Sequence, residues 1–379
     1  MSPELKREYL KAVDWRYSHA KKKEKGKILD EFCRVCGLSR KWASRVLRRG
    51  HYAKKKSPGP RKQYVEIQEV MKALWLLMEQ MCSKRLKAAL PLWLPFYERT
   101  TPLSSSIREK LLRISASSMD RYLKPFRGKH KRLCGTRPGT WLKNRIPIRT
   151  DNDDVDRPGF LEADTVAHCG ESMAGHFVWS LTLTDIHSQW TENRALWNKE
   201  APDVIEQVRD AENKLPFPIL AFDVDNGSEF LNRHLWLYFS HRKRPVSLYR
   251  SRPYKKNNQA HVEQKNWTHV RQLWAYHRIE QRDLIPSMND LYFDWGLLHN
   301  FFCPTQKLKS KIREGSRYHK QYEAPETPYR RLLSSPHIPE DKKQKLKSSF
   351  EKLNPLELKS NIEAKLKSLF CQIIPKKLL

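Results

Sequence analysis

The sequence is short of acid. Its 379 residues hold 42 Asp and Glu against 73 Lys and Arg, a formal net charge of +31 that points at a polyanion as partner. Long apolar runs are missing as well: none approaches 18 residues, so a membrane-spanning helix is not expected. The N-terminal stretch MSPELKREYLKAVDWRYSHAKKK has no apolar core, and secretion is not expected either. Cysteines number seven, odd and irregularly spaced, which argues against a disulfide framework and for free thiols in a reducing compartment. Aromatic residues, by contrast, are plentiful. With 12 Trp and 39% hydrophobic residues the chain can bury real cores and is too aromatic for a disordered basic tail. Its length suggests about two to four domains.

The charge is segregated. Residues 1–150 hold 38 basic and 12 acidic residues, residues 151–240 hold 6 and 17, and residues 241–320 hold 17 and 6. Basic flanks of this kind grip nucleic acid by neutralising phosphates. An acidic island between them would repel that ligand unless a cation sits there, so a divalent metal is one reading and a solvated acidic surface the other.

In the N-terminal part, Ile28, Leu29, Phe32 and Val35 repeat at helical spacing until Gly37 breaks the pattern. Ser39 then caps a second expected helix with Trp42, Ala43, Val46 and Leu47 on its inner face. Helix, short turn and helix form a helix-turn-helix pattern, which would turn Arg40, Lys41, Ser44, Arg45, Arg48 and Arg49 toward a DNA groove. Residues 54–63 read as a basic Pro/Gly linker. Amphipathic stretches at 66–81 and 84–98, with Ser118 capping a helix through Met119, Tyr122 and Leu123, suggest a second helix-turn-helix-like unit. Cys33 and Cys36 are spaced like zinc ligands, and His19 and His51 flank them, but no second pair accompanies them, so no zinc is expected.

The periodicity changes in the acidic block. Residues 159–167, 177–185 and 190–197 are β-branched and aromatic with partial alternation, the mark of strands. A helix with Pro202 in its first turn follows, then a short apolar strand at 217–223, a helix at about 228–240, a strand at 245–249 and a long helix from about 258 to 280. Three strands followed by alternating helix and strand describe an α/β domain on a mixed five-stranded sheet. Asp164 falls inside the first strand, where a carboxylate must be paired, protonated or bound to metal. Asp225 falls at the C-terminal end of a later strand, the edge where open α/β sheets place function. Glu263 falls on the first turns of the long helix. Glu162 and Asp223 lie two residues before the two aspartates on the same strand faces, as accessory ligands or hydrogen-bonded neighbours. His168 lies near the site or in the strand turn.

Asp164 in Glu162-Ala163-Asp164-Thr165-Val166, Asp225 in Asp225-Asn226-Gly227-Ser228-Glu229-Phe230, and Glu263 in a block running from Tyr254 through Gln259 to Asn266 resemble the three signatures of the retroviral-integrase and DDE-transposase superfamily. Sixty-one positions separate the aspartates and thirty-eight separate Asp225 from Glu263. Asn300-Phe301-Phe302-Cys303-Pro304 and the block Thr327 to Leu333 resemble the tail segments of bacterial insertion-sequence transposases of the integrase type. The resemblance implies an RNase H-like core, two Mg²⁺ (with Mn²⁺ as a substitute) held by Asp164, Asp225 and Glu263, and cleavage and strand transfer of mobile-element ends. It also implies that Tyr254, Asn258 and Gln259 form an active-site loop touching DNA, that Asn266 supports the site, and that Lys265 and Arg271 grip phosphate. Double-stranded DNA, a homo-oligomer and a cytoplasmic, bacterial, DNA-associated setting follow from the same resemblance. The His/His/Cys/Cys zinc module of the retroviral relatives is absent.

The reading is therefore multidomain. It comprises a helix-turn-helix domain at 1–53, a second helical domain at 64–126, a basic linker at 127–152, an RNase H-like catalytic core at 153–300, a small basic β module at 301–335 and a Lys-rich tail at 336–379. The alternatives are a metal-dependent nuclease that does not join, and a domesticated DNA-binding regulator without catalysis.

Overall fold

A computed structural model describes residues 3–49, 64–127, 155–225, 227, 229–250, 260–314 and 317–373. The chain falls into two compact units, Met1–Gln63 and Tyr64–Leu379.

The first unit is helical: α1 (Pro3–His19), α2 (Lys22–Cys36) and α3 (Arg40–Arg49). Glu24 accepts a hydrogen bond from the Lys21 N–H at 3.1 Å and so fixes the start of α2. Gly37, at φ 62, ends α2 in the left-handed region and lets the Leu38 N–H reach the Cys33 carbonyl. The Ser39 carbonyl accepts from Trp42 and Ala43 as α3 begins. The core holds Val13, Ile28, Leu29, Phe32, Cys36, Ala43 and Leu47. Three expected core-facing residues are not in it: Trp42 is 48% exposed, Val35 is 41% exposed and Val46 is half-buried, while the smaller Ala43 and Cys36 are buried.

The second unit opens with α4 (Gln68–Leu77), α5 (Ser83–Thr100), α6 (Ser105–Arg113) and α7 (Ala116–Leu123). α5 tolerates Pro91 and Pro95 in its interior because Leu86, Ala89, Leu90, Trp93 and Leu94 are buried along it, offsetting the lost backbone bonds. The cap of α7 is Ser115, whose side chain accepts from the Ser118 N–H; Ser118 lies inside the helix instead of before it.

A five-stranded sheet follows, in the order β3-β2-β1-β4-β5, built from β1 (Phe160–Ala167), β2 (Val178–Asp185), β3 (Thr191–Trp197), β4 (Ala221–Val224) and β5 (Ser247–Arg250). β1, β2 and β3 pair antiparallel, while β1, β4 and β5 pair parallel. This mixed sheet is compatible with an RNase H-like core. The parallel crossovers run through α8 (Ala201–Lys214) and α9 (Arg233–Ser240). β4 is shorter than the expected 217–223, starting only at Ala221.

The helix α10 (Ala260–Lys265) continues through a π-helical turn, Asn266–Arg271, into α11 (Gln272–Trp274) and stops at Ala275, which takes a positive φ of 49, short of the expected 280. The helix α12 (Ile285–Phe302) covers the edge strand β3, and two of its asparagines satisfy that edge. Asn289 pairs with the Ala195 backbone, and Asn300 accepts from the Thr191 N–H while donating to its carbonyl, both at 3.0 Å.

The C-terminal part forms a two-stranded hairpin, β6 (Leu308–Glu314) with β7 (Arg317–Tyr322), then α13 (Pro328–Ser334), α14 (Glu340–Glu351) and α15 (Pro355–Ile373). Thr327 caps α13 through the Arg330 N–H, and Pro328 occupies the first turn. Expected boundaries at 300 and 335 are not breaks in packing. Phe350 stacks on Phe302 and Tyr329, and Ile362 and Leu369 of α15 join the core that contains the sheet. The helices from 64 onward share that core, and Trp93 of α5 donates to the Phe302 carbonyl at 3.1 Å. Among the described residues no helix is long and apolar enough to cross a membrane.

Candidate active site

The parallel register sets Ala163 of β1 beside Val224 of β4. The next residue on each chain is an aspartate, so the sheet delivers Asp164 and Asp225 side by side where β4 ends. Asp164 accepts from the Thr165 N–H at 2.8 Å through Oδ1 and from the Asn266 amide at 2.6 Å through Oδ2. Asp225 accepts from the Gly227 N–H at 2.8 Å. Glu263 stands exposed on α10.

Their electrostatics are those of crowded like charges. Burial, followed by the negative charges of Asp225 and Glu263, pushes the Asp164 carboxyl up to about 7 against the pull of its two hydrogen bonds. Burial first, then the charge of Glu229, raises Asp225, which the Gly227 N–H and Lys199 oppose. The donor set contains oxygen alone and carries uncompensated negative charge, the chemistry that fits a hard divalent cation such as Mg²⁺. Among the described residues, no three His, Cys, Asp or Glu side chains converge closely enough to hold a metal ion as they stand.

Glu162 is wholly buried and takes the hydrogen-bonded role. Its Oε2 accepts from the His261 and Val262 N–H groups at 3.0 and 2.9 Å, which pins the start of α10, and therefore Glu263, to β1. Asp223 is buried on β4, opposite Glu162 in register. His168 lies in the core: its Nε2 bonds to Ser180 Oγ at 2.7 Å, Ser180 to the Tyr292 hydroxyl, and that hydroxyl to the Trp274 indole. Burial lowers its imidazole to about 3, so it is neutral near pH 7.

Lys265 departs from its expected place. It is only 6% exposed, within electrostatic reach of Arg85, Arg331 and Cys303, on a helix that packs against β1 and β2. Burial, then the charges of Arg85 and Arg331, lower its ammonium to about 7. Arg271 is half-buried, donates to the Ala275 carbonyl and lies over the Tyr276 ring at 4.7 Å. In the first unit Lys41 and Arg45 are exposed, Ser44 is half-buried and Arg40 pairs with Asp30. The side chain of Arg48, with Tyr254, Asn258 and Gln259, lies outside the described residues. Cys36 lies in the apolar core of the first unit beside half-buried Cys33.

The site has one carboxylate that sequence reasoning missed. Glu229, 6% exposed, accepts from Thr165 Oγ1 and from Lys199 Nζ, each at 3.2 Å, through Oε1. A Cβ placed on Gly227 would meet Glu229 Oε2 at 2.6 Å and Asp225 Oδ1 at 2.8 Å, so both carboxylates lie over one face of the glycine. The available signal was an acid four residues after Asp225 with a glycine between them.

No family model matches the chain. It is 38% identical over 336 residues to "Uncharacterized protein y4rM" of Sinorhizobium fredii (strain NBRC 101917 / NGR234), an alignment covering 86% of this chain and 94% of that protein. The chain belongs to the family of that protein. Among solved structures it is similar to the HTLV-2 integrase catalytic core domain in complex with magnesium, at 16% identity and a TM-score of 0.28 over 39% of this chain and 90% of that one.

Proposed function

We propose that this chain is a DNA transposase of integrase type, which cuts the ends of a mobile element and joins the freed 3′-hydroxyls to target DNA. The observation that carries this reading is the meeting of Asp164, within β1, with Asp225, just past the end of the parallel strand β4, with the charge of Glu263 bearing on Asp164 and Asn266 fixing one of its oxygens. The signature blocks around the same three acids support it.

Asp164, Asp225 and Glu263 would hold two Mg²⁺, with Mn²⁺ as a substitute, and the ions, when bound, supply activation of the attacking oxygen and stabilisation of the leaving one. The chain's own contribution is orientation. The Thr165 N–H and the Asn266 amide each hold one oxygen of Asp164, the Gly227 N–H holds one of Asp225, and Glu162 sets the start of α10 that carries Glu263. The first unit, through Lys41 and Arg45, would bind double-stranded DNA at the element ends, and a homo-oligomer would bring two ends together.

A strand-transfer assay with Mg²⁺ and labelled terminal-repeat DNA tests the proposal. Joined products are expected. Cleavage without joining would make the protein a nuclease, and binding with neither would make it a regulator.

A further inference from the structure

Glu229 is a buried carboxylate whose two oxygens are unequally served. Oε1 has two donors, Thr165 Oγ1 and Lys199 Nζ. Oε2 is buried and has no hydrogen-bond partner. That bare oxygen sits over Gly227 on the same face as Asp225 Oδ1. A buried carboxylate oxygen without a donor costs about 1–3 kcal/mol, more when charged, and such groups persist where something else completes them. Among the described residues the cation in contact is Lys199, which engages Oε1 and also lies over the Trp179 ring at 4.8 Å.

We propose that Glu229 is a positioning residue of the cation site: its free Oε2 orients a divalent cation and its water beside Asp225, and Lys199 is the counter-charge that holds Glu229 there before the cation arrives. The inference rests on reading Asp225 as a cation ligand. It gives opposite roles to the two members of one ion pair. Glu229 adds to the negative field at Asp225 and favours the cation, whereas Lys199 subtracts from that field and competes with it.

The test is Mn²⁺ binding to the full chain by isothermal titration calorimetry, without DNA, so that no turnover is read. Asp225→Asn should lose most of the affinity. Glu229→Gln, which keeps the shape and the Oε1 acceptor, should weaken binding by about tenfold, the low end for a residue supporting metal ligands. Lys199→Met, which keeps an aliphatic stem against Trp179, should bind Mn²⁺ more tightly than the unaltered chain. Circular dichroism melts confirm that each variant is folded. Glu229→Gln at unaltered affinity, with Asp225→Asn weakened, overturns this inference alone. Lys199→Met binding no more tightly than the unaltered chain also overturns it, since the pair is then purely structural. Unchanged binding by Asp225→Asn overturns the cation reading of the site together with the inference.

Discussion

The Asn266 amide donates to Asp164 Oδ2 at 2.6 Å, joining the π-helical turn after α10 to the central strand β1. That bond holds an aspartate oxygen in place although burial and two neighbouring carboxylates disfavour its charge. Asn266→Ala should therefore act on the cation more than on the fold. Strand transfer titrated with Mg²⁺ should need about 10–100-fold more metal, with the melting temperature little changed. A lowered melting temperature with an unshifted Mg²⁺ requirement would count against this role.

The buried histidines give the protein a pH dependence. The His168 imidazole is lowered to about 3, and those of His269 and His299 lie well below their usual range, all by burial first. A depressed base is neutral in the fold and charged in the unfolded chain, so stability is full above about pH 6.5 and is lost as pH falls toward 3. His168 alone accounts for at most roughly 4–5 kcal/mol of that loss. Urea unfolding measured between pH 7 and 4 should show His168→Gln losing less stability per pH unit than the unaltered chain, the raised Asp164 and Asp225 carboxyls contributing the same opposing slope to both. Equal pH slopes for the two chains would contradict the assignment.

Asn300 tests the link between α12 and the sheet edge. Replacing it with Ala leaves the Thr191 N–H and carbonyl without their partner, at a cost of about 1–3 kcal/mol for each group that stays buried. Denaturant unfolding should show the loss with an unchanged slope. A loss under 1 kcal/mol would mean that water replaces the amide.

The first unit should bind DNA through phosphate contacts. Lys41→Ala and Arg45→Ala should each reduce the slope of log affinity against log salt by about one, uniformly across sequences, as read by fluorescence anisotropy. Arg40→Ala should change it less, because Arg40 is already paired with Asp30. Slopes equal to that of the unaltered chain would remove α3 from the interface.

Strand periodicity and the Gly37 stop were legible in the sequence because they depend on local chemistry. So was the placing of Asp164 within a strand and of Asp225 where a strand ends, since a period of two and a terminal Gly turn mark them. What escaped notice was set by neighbours distant in the chain. Trp42 looked like a core residue and is exposed, since nothing in a helical period says which apolar residue the partner helix will accept. Ser115 and Ser118 are equally good caps by chemistry, and only the backbone turn chooses the first. Lys265 read as a surface cation and is buried, because α10 packs on β1 and β2, strands far from it in the chain. The pairing of Glu229 with Lys199 joins residues thirty positions apart across β4, which no motif encodes.

The most direct measurement compares the unaltered chain with Asp164→Asn and Asp225→Asn in a Mg²⁺ strand-transfer assay, with DNA affinity measured on the same samples. The account predicts joined products from the unaltered chain, none from either variant, and affinity within a few-fold throughout. Joining by Asp225→Asn at the unaltered rate would contradict it.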